Sequence, residues 1–277
     1  MSAATDLTPL LKRLKLGALL PTLPERLALA RREQLDYAAF LQILLADEVS
    51  RRDHSRLERQ LELAGFEEIC RLEDFDWTSP VTLDRRLLDA VFSLDFLRRH
   101  EHVLLLGPVG VGKSFLAQAL GYTAVRAGHS VRFLRADAFF LALAQARVDH
   151  TLERTFRAFL APDLLILDDL GLHRLTAQQS ADLYEIIIAR HRRASFIITS
   201  NRAADEWLGL FDDPILGNSA LDRLANASFQ IVIEGRSYRE RLSPHRRATQ
   251  PDESGLAATT PSAAPATGGR HGHTPVA

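Results

Sequence analysis

The chain has 277 residues, 46% of them hydrophobic and 25% charged, with 34 Lys and Arg against 35 Asp and Glu. That length suits one large domain, or one with a smaller appendage, and the apolar content excludes a chain too polar to bury a core. A net charge of −1 excludes a global basic field, and the single cysteine, Cys70, excludes a disulfide framework or a cysteine-rich metal site.

No apolar run follows a basic segment at the start, and none is long enough to span a bilayer, so a soluble cytoplasmic protein without a membrane partner is expected. Residues 1–76 are rich in Leu, Glu and Arg. A helical stretch over residues 7–20 is expected to be broken by Pro21 and Pro24. From Leu35, the positions Ala38, Ala39, Leu41, Ile43, Leu44, Leu45 and Val49 predict a helix with one buried stripe. Glu48, Arg51, Arg52 and Asp53 continue it as a charged face. Residues 1–76 are therefore expected to form a small helical domain. A linker from Glu73 to Pro80 leads into a short helix over residues 83–96. Because that linker separates it from the rest, the helical region is expected to contact a protein partner or DNA and to be dispensable for ligand binding by the remainder.

From His102 short apolar runs alternate with helical periodicity. Strands are predicted over 103–106, 131–134, 164–167, 196–199 and 229–233, and helices over 114–127, 136–146, 152–160 and 177–192. This alternation predicts an α/β fold over residues 77–247, a three-layer arrangement with a parallel sheet between helices. Residues 248–277, mostly Ala, Thr, Pro, Gly and Ser, predict a disordered tail.

The segment Gly107, Pro108, Val109, Gly110, Val111, Gly112, Lys113, Ser114 matches G-x-x-x-x-G-K-[ST] at every fixed position, between a predicted strand and a predicted helix. Its glycines let successive backbone N–H groups turn inward around phosphates, and the helix adds the positive end of its dipole. Lys113 would reach the β- and γ-phosphates of ATP, Ser114 would offer a hydroxyl to Mg2+, and Phe115 follows in the first helical turn. A glycine-rich turn that binds nothing is the alternative, and the complete motif in this setting speaks against it.

The run Leu164-Leu-Ile-Leu-Asp168-Asp169 places two carboxylates at a predicted strand end, where a parallel sheet faces its ligand crevice. Asp168 would hold Mg2+ through water, and Asp169 would polarise the attacking water. Asn201, after the next strand, could hydrogen-bond that water and the γ-phosphate. Arg223 lies in a short helical stretch, either as a surface residue paired with Asp222 or with nothing, or as an arginine finger reaching a neighbouring subunit, and spacing does not decide between them. Arg132, Arg135, Arg147, Arg154 and Arg157 interleave with Phe133, Phe139, Phe140, Phe156 and Phe159, which suits either nucleic-acid contact or a core face beside a solvated face. Arg236, Arg239, Arg241, Arg246 and Arg247 form a second basic cluster. His100, His102 and His173 have no metal-ligand spacing.

The order GPVGVGKS, LLILDDLG, TSN, LDRL and GRSYR resembles the AAA+ ATPases of the DnaC/IstB group. The segments PTLPERL and DYAAFLQILLADEV are similar to IstB, the family of ATP-dependent helpers encoded beside the transposase of certain bacterial insertion sequences. The resemblance covers about residues 7–245. It implies Walker A roles for Gly107, Gly110, Gly112, Lys113 and Ser114, and Walker B roles for Asp168 and Asp169. Many AAA+ proteins carry Glu where Asp169 stands, and the shorter side chain implies slow turnover. It further implies a sensor role for Asn201, a trans-acting finger at Arg223 and a late nucleotide-binding arginine at Arg239, without the usual helical lid. Double-stranded DNA, a homo-oligomer formed with ATP and an IstA-type transposase are the implied partners. A DnaC-type helicase loader keeps the ATPase and changes the client. A P-loop small-molecule kinase would instead need an acceptor pocket and a mobile arginine-rich lid.

Overall fold

The computed structural model describes residues 4–238, so the expectations for Arg239, the later arginines and the tail lie outside the described residues. Three helices open the chain, α1 (Ala4–Arg13), α2 (Leu23–Arg32) and α3 (Tyr37–Ala64). Pro24 sits in the first turn of α2, where its missing N–H costs nothing, so it starts a helix rather than ending one. Asp36 caps α3 by accepting the N–H of Ala39 at 2.7 Å, and Gly65 ends it at φ 71°. The 28 residues of α3 run well past the expected stripe. Glu48, expected on the charged face, is 3% exposed, because Arg51 and Arg52 both bind its carboxylate and let the charge be buried as a paired group.

The end of α3 joins the remainder of the molecule. Arg132 Nη1 donates to Leu63 O at 2.9 Å, the Phe66 and Phe133 rings lie 6.2 Å apart, and the Gln118 side chain accepts the N–H of Glu68 at 3.0 Å. A short strand, β1 (Val81–Thr82), follows, then α4 (Arg85–Phe92) and α5 (Asp95–Arg99). The helix expected over residues 83–96 is thus two, parted at Leu94 with its φ of 63°.

The core sheet holds β2 (His102–Leu106), β3 (Val131–Arg135), β4 (Leu164–Asp168), β5 (Ser195–Ser200) and β6 (Ser228–Val232). All pairings are parallel, in the order β3-β4-β5-β2-β6. The connecting helices are α6 (Lys113–Arg126), α7 (Ala136–Val148), α8 (Leu152–Leu160), α9 (Ala177–Arg190) and α10 (Pro214–Ala225). Alternate side chains explain the three layers. Val103, Leu105, Ile166 and Ile197 pack with Leu116 and Leu120 of α6 and with Leu88 of α4. Leu104, Leu106, Leu165 and Ile198 face Phe139, Leu143, Ile186 and Leu224 on the other side. Strands covered on both faces must be apolar throughout, which is why they stand out as unbroken runs. A last strand, β7 (Glu234–Gly235), returns to pair antiparallel with β1. Among the described residues no helix is long and apolar enough to cross a membrane.

Candidate nucleotide site

The strand order sets the site. With β5 lying between β2 and β4, the loop leaving β2 and the carboxylates ending β4 share one edge of the sheet. Gly107 N donates to Ser200 O at 3.2 Å, tying the loop to the end of β5. A Cβ on Gly107 would stand 2.0 Å from Ile233 O, and one on Gly110 would stand 2.1 Å from Ser237 Oγ. Tyr238 N donates to Gly110 O at 2.8 Å, so residues 233–238 strap the loop in a course only glycine permits. Val111, 1% exposed, roots the loop in the core, while Pro108 and Val109 form its exposed rim. Lys113 opens α6 and is itself buried, its Nζ donating to Gly107 O at 2.8 Å and Pro108 O at 2.7 Å. The amide-lined helix start and this ammonium make an anion cradle.

Phe115, one residue past Ser114, meets the Phe75 ring at 5.7 Å, and Phe75 meets Trp77 at 4.6 Å. The Arg85 guanidinium lies 4.0 Å above the Trp77 ring. The segment expected to be a bare linker therefore packs beside the start of α6.

Asp168 is 2% exposed. Its Oδ1 accepts the Thr199 hydroxyl at 2.6 Å, and the Ser114 hydroxyl also hydrogen-bonds its carboxylate. Burial pushes the Asp168 carboxyl above the usual carboxylate range, against the pull of these two hydroxyls. A buried carboxylate beside a serine hydroxyl is a hard oxygen pair that fits Mg2+. Among the described residues no group of three or more His, Cys, Asp or Glu side chains forms a metal cluster, so the remaining ligands of such an ion would come from nucleotide and water.

Asp169 sits at φ 57°, and its backbone N–H donates to Thr199 Oγ1 at 2.8 Å. Its carboxylate lies 3.5 Å from Arg135 Nη2, because Arg135 ends β3 in register with Asp168. Asn201 is exposed and directly follows Ser200, whose carbonyl accepts the N–H of Gly107. Thr199 and Arg135 were not among the nucleotide-site candidates. A lone threonine at the end of the apolar run Phe196-Ile-Ile-Thr199 is the signal that could have found the first.

Arg223 does not join this cluster within one chain. It sits in the last turn of α10, which leads into β6, and Ser228 of β6 pairs with His102 at the start of β2, the sheet edge away from the loop. Its Nη1 donates to Ser219 O and Ser219 Oγ, both at 2.7 Å, while Asp222 accepts the side chain of Asn226 at 2.6 Å. Of the alternatives for Arg223, the local ion pair with Asp222 is not formed.

The arginine and phenylalanine run between the two motifs divides as a core face and a solvated face. Phe133, Phe139, Phe140 and Phe159 are buried in the two cores. Arg147 forms a two-point ion pair with the buried Asp182, and Arg157 pairs with Glu153 one turn away.

The family model described as IstB-like ATP binding protein matches residues 9–246. An insertion-sequence ATP-binding protein of Mycobacterium tuberculosis is 42% identical over 237 residues, covering 85% of this chain and 94% of its own length. One from Pseudomonas aeruginosa is 36% identical over 243 residues, covering 88% and 91%. In fold, the chain is similar to a DnaA replication initiator bound to AMPPCP and single-stranded DNA, with TM-score 0.51 and 21% identity over 62% of this chain and 52% of that one. It is also similar to DnaI, with TM-score 0.50 and 20% identity over 59% of this chain and 90% of that one. The sheet and its flanking helices have the AAA+ P-loop fold.

Proposed function

Because the chain belongs to the IstB-like ATP-binding protein family, we propose that it hydrolyses ATP as a DNA-transposition helper. On this reading it oligomerises on double-stranded DNA in its ATP-bound form and recruits or regulates an IstA-type transposase.

The observation that carries the reading is the Ser114–Asp168–Thr199–Asp169 chain of hydrogen bonds beside the phosphate loop. The loop amides and Lys113 would neutralise the triphosphate. Ser114 and Asp168 would hold Mg2+, which withdraws charge from the phosphate oxygens. Asp169, less enclosed than Asp168, is the carboxylate left to orient a water, with Asn201 alongside. The printed descriptions of the two bacterial relatives supply the insertion-sequence context.

Arg223 supports the oligomeric part of the proposal by its position. It cannot serve its own loop from the opposite sheet edge, but a neighbouring copy could receive it there. Measuring the size of the full chain with ATP, with duplex DNA and with both tests this reading. An assembly that grows only with ATP and DNA is expected, and Lys113→Ala on its own should abolish ATP turnover. An unchanged monomer hydrolysing ATP at the same rate with or without DNA would overturn it.

A further inference from the structure

The turn between α9 and β5 is built unusually rigidly for a surface turn. Arg190, 1% exposed, sends its guanidinium into the carbonyls of Phe159 and Pro162 at 2.9 Å each and of Ser195 at 2.7 Å. Its own carbonyl accepts the N–H groups of Arg193 at 2.9 Å and Ala194 at 3.1 Å. Between these anchors Arg192 is held at φ 57°, a left-handed conformation that costs a long side chain energy unless the surroundings enforce it.

Arg192 and Arg193 are both exposed, and neither forms an ion pair among the described residues. The turn enters β5 at its first residue, so it lies on the same sheet edge as Arg223. His191 connects the two places. Burial, then the charges of Arg192 and Arg223, hold its imidazole below the ordinary histidine range. Asp222, whose charge acts on the same imidazole in the opposite sense, is engaged by Asn226. Unpaired arginines on one pre-ordered turn repel one another, and a polyanion meeting them would relieve that repulsion.

The geometry points to Arg192 as a second arginine that each subunit presents, beside Arg223, to the triphosphate held by the neighbouring copy of this chain. This rests on the trans reading of Arg223. Arg223 is tethered to Ser219 through one Nη atom only, and Arg192 leaves a backbone held at φ 57° with its side chain exposed, so both guanidinium groups could turn toward the γ-phosphate. A nucleotide fits better than DNA because the turn offers a compact, rigid pair of charges rather than a stripe along a duplex.

Mixing full-length proteins separates the two claims. Lys113→Ala lacks a working loop but keeps the arginine edge, so added to Arg223→Ala it should restore DNA-stimulated hydrolysis. The same donor carrying Arg192→Asn should restore about tenfold less. Asparagine accepts the left-handed backbone, so the turn is kept while the charge is lost. Arg192→Lys in the donor should recover part of the difference. Equal restoration by both donors overturns the assignment and leaves Arg223 standing. No restoration by Lys113→Ala in demonstrably mixed oligomers overturns the trans reading and Arg192 with it. Full restoration with weakened duplex binding would make Arg192 a DNA contact, and failure of the Arg192→Asn donor to enter mixed oligomers would make it an assembly contact; either result overturns the assignment.

Discussion

Thr199 donates its hydroxyl to Asp168 Oδ1 at 2.6 Å, joining the ends of two neighbouring strands. Thr199 Oγ1 in turn accepts the N–H of Asp169 at 2.8 Å, so one side chain holds the metal-side carboxylate and the backbone of the water-side one. Asp169 stands at φ 57°, off the strand path, and this hydrogen bond fixes that departure.

Thr199→Val keeps the shape and removes both bonds. Leaving a buried acceptor and donor unpaired costs about 1–3 kcal/mol each, so hydrolysis should fall by about 10- to 100-fold. ATP affinity should move far less, because the phosphate loop is untouched. Thr199→Ser should recover most of the rate. Single-turnover hydrolysis with a separate ATP titration checks this, and parent-level turnover of Thr199→Val would leave the hydroxyl a packing feature only.

Asp169→Asn should bind ATP and barely hydrolyse it. The amide is nearly isosteric but a poor proton acceptor, and it loses the charge that faces Arg135 at 3.5 Å. The variant should collect as an ATP-bound assembly on DNA, visible by sizing. If Asp169→Asn fails to bind ATP while Asp168→Asn hydrolyses normally, the two carboxylates have been assigned in reverse.

The phosphate loop and the five core strands are legible in the sequence because each is a local pattern, a fixed spacing or an apolar run covered on both faces. Thr199 and Arg135 are not, because their roles arise from register between strands distant in sequence. The burial of Glu48 depends on two arginines that otherwise read as its charged companions. Helix α2 hides behind two prolines that look like breakers until one is seen to open the helix. The place of Arg223 on the far sheet edge follows from topology, which no short segment encodes.

Acid should destabilise the fold through His102. Its ring is 1% exposed, accepts the N–H of Phe196 on Nδ1 at 3.2 Å, and burial pushes its pKa down to about 4 from 6.5. The unfolded chain therefore binds the extra proton first, and stability present above pH 6.5 is lost as pH falls toward 4. The full loss is roughly 3 kcal/mol at about 1.4 kcal/mol per pKa unit. Urea midpoints of the parent and His102→Gln between pH 7.5 and 4.5 check it. A parent whose midpoint falls no more steeply than that of the variant would show that other groups govern acid sensitivity.

Phe75 tests whether the helical region is separable from nucleotide binding. A Cβ on Gly112 would stand 2.8 Å from the Phe75 ring, which also packs on Phe115 and Trp77, so this side chain backs the start of α6. Phe75→Ala leaves a cavity there, costing about 3 kcal/mol, and loosens the turn that carries Lys113 and Ser114. The ATP Kd should rise about tenfold, since small displacements of a binding group are felt strongly. Leu44→Ala is the matched control. Leu44 is 8% exposed in the first half of α3, and its loss should lower the melting temperature with little change in ATP binding. Equal, unchanged ATP affinity in both variants would mean that the segment before β1 only rests against the site, and that a chain starting near Thr82 should bind ATP as the full protein does. A rise confined to Phe75→Ala would place the functional boundary before Phe75, since the aromatic packing that steadies the loop comes from the segment joining α3 to β1.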